Sequence, residues 1–430
     1  MALLLKNGRV VDPLENLDRV CDVLIRDGVI VEVGKNLEMA KGETVDCTGM
    51  IILPGLVDVH THLRQPGRED EETVASGTRA AAAGGFTAIC AMPNTEPVAD
   101  EGAAIRFLLD TAETEGAVRV HAIGAITAKQ AGAALAEIGD MAEEGAVAFS
   151  DDGHGVGSAG TMRLAMDYIK RFRRPVISHC EDLSLVGHGV VNEGVVSTRL
   201  GLPGWPAAGE EVQVARDIRL AELTGCRLHL AHLSTAGSIA LVRDAKARGL
   251  TVTCEVTPHH LFLTEDDITT DYDTNLKMNP PLRTAADAEA LLTGLLDGTV
   301  NCIATDHAPH AAHEKALEFE LAPFGTTGLE TALALVATHV VAAGKATWSD
   351  VATWMAHGPR DVLDLPGQRI ASEYVADLTI VDPKWRWTAG DDGWISKSRN
   401  SAFTGAELTG RARDVLIGGH FALRGGKVVV

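Results

Sequence analysis

Asp58-Val59-His60-Thr61-His62-Leu63-Arg64 closes an apolar run, and its two histidines stand two residues apart. In an extended strand, side chains at i and i+2 leave the same face, so both imidazoles can reach one ion. A lone pair of this kind carries little weight. It gains meaning because His179, His232 and Asp306 each stand at the end of a later apolar run. Neutral imidazoles with carboxylate oxygen suit Zn²⁺, with Mn²⁺ or Co²⁺ as substitutes. Such a set supports metal-assisted hydrolysis.

These residues lie far apart in the chain, so the fold must gather strand ends. Eight strand-like runs can be read, at 51–60, 86–93, 118–126, 145–151, 175–180, 226–234, 250–258 and 300–306. Ala-rich stretches with helical spacing separate them, among them 71–85, 159–172, 210–225 and 284–298. Continuous apolar strands interleaved with helices predict an α/β fold, a parallel (β/α)₈ TIM-type barrel. An open doubly wound sheet is the runner-up, but no GxGxxG turn follows the first strand. In a barrel the strands' carboxyl ends share one face, where active sites sit. Asn94, the Asp151-Asp152 pair, His179-Cys180-Glu181-Asp182, His232, the 277–283 stretch and Asp306-His307-Ala308-Pro309-His310 would all gather there.

The ends of the chain read differently. Residues 1–54 and 366–430 carry short strands and Gly-rich turns without helical periodicity. Each is too small for its own core, which predicts one composite β-sandwich domain built from both termini around a barrel at 55–365.

The chain has 430 residues, with 38 Lys plus Arg against 59 Asp plus Glu, a net charge of −21. That balance argues against binding nucleic acid or an anionic membrane surface. The start, MALLLKNGRVVDP, has no basic region before its apolar run, and no apolar stretch is long enough to span a bilayer. The seven cysteines form no CxxC and several sit in strand-like runs, as expected of buried thiols in a reducing cytoplasm.

The Asp-x-His-x-His motif, the later single histidines and the Asp after the eighth run resemble the amidohydrolase superfamily. Within it the chain is similar to the dihydroorotases of the long bacterial type. Matching segments include GLVDVHTHLRQPG, AMPNTEPV, FSDDGHGV, SHCEDL, AHLSTAGS, VTPHHLFLT, KMNPPLR, IATDHAPH, PFGTTGLET and SKSRNSAFTG, spread over nearly the whole chain.

The resemblance implies a zinc-dependent, reversible cyclisation of N-carbamoyl-L-aspartate to L-dihydroorotate in pyrimidine synthesis. It places His60, His62 and Asp306 on a first ion and His179 and His232 on a second. Many relatives bridge the ions with a carbamylated lysine. No lysine ends the fourth strand here, and Asp152 takes that place, with Asp151 facing away because adjacent strand residues alternate. Asp306 would also shuttle the proton from nucleophile to leaving nitrogen. Arg64 would hold the substrate carboxylate bidentately, helped by Asn94, Asn279 and His310, with backbone around Phe324 and Gly325 at the ring edge. A second copy of the chain and an aspartate transcarbamoylase are the partners it suggests. Two competing readings are another cyclic amidase of hydantoinase or allantoinase type, and an inactive scaffold subunit of a transcarbamoylase. The missing lysine argues against the first, and the complete ligand set against the second.

Two expectations concern residues around this set. His229, three before His232, should face the helices. The long stretch 307–324 after the eighth strand should form a mobile lid.

Overall fold

A computed structural model describes residues 2–390 and 393–429. Its centre is a sheet of eight strands in sequence order: Leu56–Thr61, Phe86–Ala91, Arg119–Gly124, Ala148–Ser150, Val176–Ser178, Leu228–Leu230, Val252–Val256 and Cys302–Ile303. All neighbouring pairs are parallel. The sheet closes through a parallel bridge between Thr61 and His307, and His62 N–H donates to His307 O at 2.9 Å. Buried Asp58 reinforces the seam by accepting from Thr305 N–H and Oγ1. The predicted barrel is therefore the observed fold.

Helices cover the barrel because their sequences offer one apolar face and a capped start. Val74–Gly84 begins at Thr73, whose hydroxyl accepts from Ser76 N–H, and it buries most of its alanines. Gly84 approaches Leu329 O so closely that a Cβ would stand 2.0 Å from it, so no larger residue fits there.

The first sequence run divides at Gly55. Ile51–Pro54 pairs with Ala2–Asp12 and Leu378–Thr388, whereas Leu56–Thr61 pairs within the barrel. Both chain ends thus join one nine-stranded sheet, with its own core of Leu3, Leu5, Val23, Ile25, Ile52, Leu378 and Ile380. The Arg119–Asp377 pair and the Arg360 bond to Gly55 O tie this sheet to the amino-terminal end of the barrel. A stretch near 394–403 reaches the opposite end. Asn400 Nδ2 donates to Ala308 O and Gly325 O, and its Oδ1 accepts from His310 N–H.

All seven cysteines are free and buried. No helix among the described residues is long and apolar enough to cross a membrane.

Candidate active site

The carboxyl ends of the barrel strands surround a cavity of about 340 Å³. His62, Arg64, Asn94, Asp152, His179, His232, Asn279, Asp306, His310, Phe324 and Gly325 all line it. His60 lies just beneath, fully buried.

At the cavity floor four imidazoles and two carboxylates converge. Asp152 stands at their centre. Its Oδ1 is 3.2 Å from His60 Nε2 and 3.5 Å from both His179 Nδ1 and His232 Nε2, while Oδ2 is 3.5 Å from His62 Nε2. Asp306 Oδ1 lies 3.0 Å from His62 Nε2 and 3.6 Å from His60 Nε2. Asp151 points elsewhere, accepting from the N–H groups of Ile126 and Thr127 and from the Thr127 hydroxyl. The pair therefore divides into one carboxylate in the cluster and one that fastens the loop after the third strand.

The donor set fits divalent cations. His60 Nε2 and Asp152 Oδ1 are buried without a hydrogen-bond partner despite their proximity, an arrangement buried polar atoms rarely tolerate. Three overlapping triads, His60-His62-Asp152, His60-His232-Asp306 and Asp152-His179-His232, each place their ligand atoms within 4.8 Å of one another. Electrostatics point the same way. Burial opposes charge on His60, yet Asp152, Asp306 and Glu255 together hold its imidazole well above the ordinary value. Burial likewise opposes charge on Asp152 and Asp306, and the facing imidazoles still pull both below the usual carboxylate range. His179, buried but held between Asp152 and Glu181, is raised to about 10. A cation bound here would compete with protons for these same nitrogen and oxygen atoms.

Behind the cluster, three of the four imidazoles are fixed by their other nitrogen. His60 Nδ1 meets Glu255 Oε1 at 2.7 Å, His62 Nδ1 meets Asn94 Oδ1 at 2.8 Å, and His179 Nε2 meets Glu181 Oε2 at 3.0 Å. Such outer contacts set tautomer and ring orientation. Asn94 thus touches a cluster imidazole as well as lining the cavity. Glu255 was missed from sequence. Its one signal was a charge inside the apolar VTCEVTP strand, which only the barrel interior or a partner could accommodate. Its other oxygen lies 2.9 Å from His229 Nε2.

That contact corrects the expectation for His229. Its ring points into the barrel, because the regular strand ends at Leu230 and His232 has φ of +31°. Alternation does not extend across that break, so residues three apart both turn inward. The same holds at the first strand, which ends at Thr61. Arg64, at φ +59°, is aimed by a turn and not by strand register. Asp306 also has positive φ, +47°. Strained backbone of this kind, costing about 1–3 kcal/mol per residue, collects at functional sites.

Above the cluster, Arg64 Nε lies 3.1 Å from both Pro309 O and Glu71 Oε2, and its NH2 lies 3.4 Å from His310 Nε2. Buried Glu71 also lies 3.1 Å from His310 Nδ1. Gly325 has φ of +123°, and a Cβ there would sit 2.6 Å from that of Ala308. Only glycine leaves this backbone open to the cavity. The 307–324 stretch holds one short helix, Ala312–Lys315, and is tied down by side chains from several directions.

Residues 49–238 match the family model described as Dihydro-orotase-like. Over 424 residues, 99% of both chains, the sequence is 51% identical to a dihydroorotase of Pelotomaculum thermopropionicum. It is 49% identical to one of Geobacter metallireducens over 97% of this chain and 99% of that one. Among solved structures, the L-hydantoinase (dihydropyrimidinase) of Arthrobacter aurescens superposes with a TM-score of 0.90 at 23% identity, covering 100% of this chain and 97% of its own. That likeness concerns the fold.

Proposed function

The chain belongs to the dihydroorotase family, and from that premise we propose how its residues carry the reaction. The protein is a hydrolase of cyclic amide C–N bonds that interconverts L-dihydroorotate and N-carbamoyl-L-aspartate in pyrimidine synthesis. The observation that best supports this is the near-full-length identity of 51% in a chain that keeps six cation-type ligands around one cavity.

Two zinc ions per chain would be held by this cluster, one by His60, His62 and Asp306, the other by His179 and His232, with Asp152 available to both. The ions, when bound, supply a water nucleophilic at neutral pH and Lewis acidity toward the amide carbonyl. The protein's own groups do the rest. Asp306 accepts the proton of the attacking water at Oδ and returns it to the departing ring nitrogen. In the cyclisation direction it runs the same transfers in reverse. Arg64 binds the substrate carboxylate through its planar fork, with Asn94, Asn279 and His310 as neighbouring polar contacts. Glu71 keeps that fork from rotating away. Backbone groups of Phe324 and Gly325 meet the pyrimidine ring edge. A protein with net charge −21 can still take an anion here, because exposed charges are screened beyond ~8 Å and the local cation dominates.

The test is direct. The purified chain should hydrolyse L-dihydroorotate, lose that activity when a chelator strips the metal, and regain it with Zn²⁺. Full turnover in a metal-free preparation would overturn the metal reading. Activity on hydantoin or dihydrouracil in place of dihydroorotate would overturn the substrate. Sedimentation of the chain alone, and mixed with an aspartate transcarbamoylase, would test the two partners that the family suggests.

The contact behind His60 has its own consequence. Glu255→Gln keeps the shape but replaces a carboxylate acceptor by a neutral amide. Zinc affinity, measured by competition with a chromophoric chelator, should fall about 10–100-fold, the usual effect of losing an outer-shell carboxylate. Unchanged affinity would reduce Glu255 to a filler of the barrel interior.

A further inference from the structure

The cavity wall formed by Pro323, Phe324 and Gly325 belongs to a segment with no regular structure, 318–325. Backbone in that state usually relies on water for its carbonyls. Here two buried lysines take that place. Lys277 Nζ donates to Glu320 O at 2.9 Å and to Ala322 O at 2.7 Å. Lys315 Nζ donates to Pro323 O at 2.9 Å and to Gly325 O at 3.1 Å. Lys277 also returns through its own backbone, its carbonyl accepting from Gly325 N–H at 2.8 Å. Its ammonium sits 4.5 Å from the centre of the Phe324 ring, at cation–π distance.

Neither ammonium forms an ion pair among the described residues, and both side chains are buried, at 2% and 8% exposure. A buried ammonium without a carboxylate is costly, and a methionine of similar length would avoid that cost. What the charge does supply is hydrogen bonds roughly twice as strong as neutral ones, all directed at one short segment. It also places two positive charges behind the wall that an anionic substrate would face.

We propose that Lys277 and Lys315 are positioning residues for the substrate, a two-point clamp that holds the Pro323-Phe324-Gly325 wall in its binding geometry. The inference rests on the family reading for the identity of the substrate, but not for the clamp itself.

Titration of the clamp follows from its surroundings. Burial pushes Lys277 down to about 8, against the opposing pull of Glu320. Burial, and then the neighbouring Lys277, push Lys315 down to about 7, against Asp273. His310 faces the same segment from the other side, its Nε2 2.7 Å from Phe324 O and its Nδ1 3.1 Å from Glu71 Oε1, and burial, then Arg64 and Lys315, push it down to about 3. Glu314, beside Lys315 in sequence, acts on His310 and is engaged with Arg68. As pH rises through 7–8 the clamp therefore changes from charged to neutral donors. Binding should weaken in the same direction.

The experiment uses the zinc-loaded full chain and the variants Lys315→Met and Lys277→Met. Hydrogen exchange without substrate should accelerate in 318–326 by about 10-fold or more, while the barrel strands stay protected. KM for L-dihydroorotate should rise about 10–100-fold, the worth of lost charge-assisted bonds, with kcat changed less than about threefold and zinc content unchanged. Between pH 7 and 9 the wild-type KM should rise, and this pH effect should shrink in Lys315→Met. Unchanged exchange and KM in both variants would overturn the proposal. So would faster exchange with an unmoved KM, or an equal loss of kcat and zinc. If the Met variants do not fold, the wild-type pH comparison of KM and of exchange in this segment decides. If the wild-type chain does not turn over dihydroorotate, the family reading fails, and the exchange result judges the clamp alone.

Discussion

Asp306→Asn should lower turnover of dihydroorotate about 10²–10⁴-fold, the range typical of losing a positioned general acid–base. The loss should be equal in the hydrolytic and cyclising directions, because one carboxylate serves both. The geometry makes the substitution specific. Asp306 Oδ1 stands 3.0 Å from His62 Nε2 and the carboxylate lines the cavity, so it reaches both the cluster and the substrate. An amide keeps the shape and can still offer an oxygen, but it cannot hold a proton at neutral pH. Kinetics in both directions, run beside zinc analysis, check this. If excess Zn²⁺ restores the variant's turnover, Asp306 is a ligand alone and the proton moves by another route.

The second large effect separates two adjacent residues. Asp152→Asn should weaken retention of at least one zinc by more than about 100-fold, beyond what an outer-shell contact costs. Its Oδ1 lies within 3.5 Å of His60, His179 and His232 at once. Asp151→Asn should keep the wild-type metal content. It instead removes charge from a carboxylate that accepts three hydrogen bonds from Ile126 and Thr127, a stability loss of about 1–3 kcal/mol. Denaturant midpoints and metal analysis of the two variants together read out this division. Because the central group is a carboxylate carried by the sequence, reconstitution with Zn²⁺ should proceed equally well without bicarbonate. A requirement for bicarbonate would mean that a carbamylated lysine occupies the centre.

Much of this molecule is readable in its sequence. Eight apolar runs separated by helical stretches imply parallel strands, because only strands covered on both faces can be apolar throughout. The barrel then follows from short connections of one hand. The candidate ligands were readable for the same reason. Polar residues at the ends of apolar strands must emerge on the face where those strands end. Two terminal stretches, each too small to bury a core, could only be stable together, and Ile52, Leu378 and Leu5 share one cluster.

What the sequence left open depends on places where local periodicity stops. His229 was expected to face the helices by counting back from His232, but the chain leaves strand geometry after Leu230 and the count fails. Arg64 and Asp306 take positive φ, a choice imposed by packing around them and against their own preference. Glu255, Glu71 and Lys315 carry no local signal of a site role, and Lys277 has only its place in the 277–283 stretch, since each is defined by partners distant in sequence. His60 lies 195 positions from Glu255, and Asn400 reaches Gly325 from 75 positions away. Strand pattern and residue type are local properties, set by the backbone's own alternation and by burial. The orientation of a buried charge is not local. It is decided by whichever donors and acceptors the fold brings within 3 Å, and only the tertiary structure contains that information.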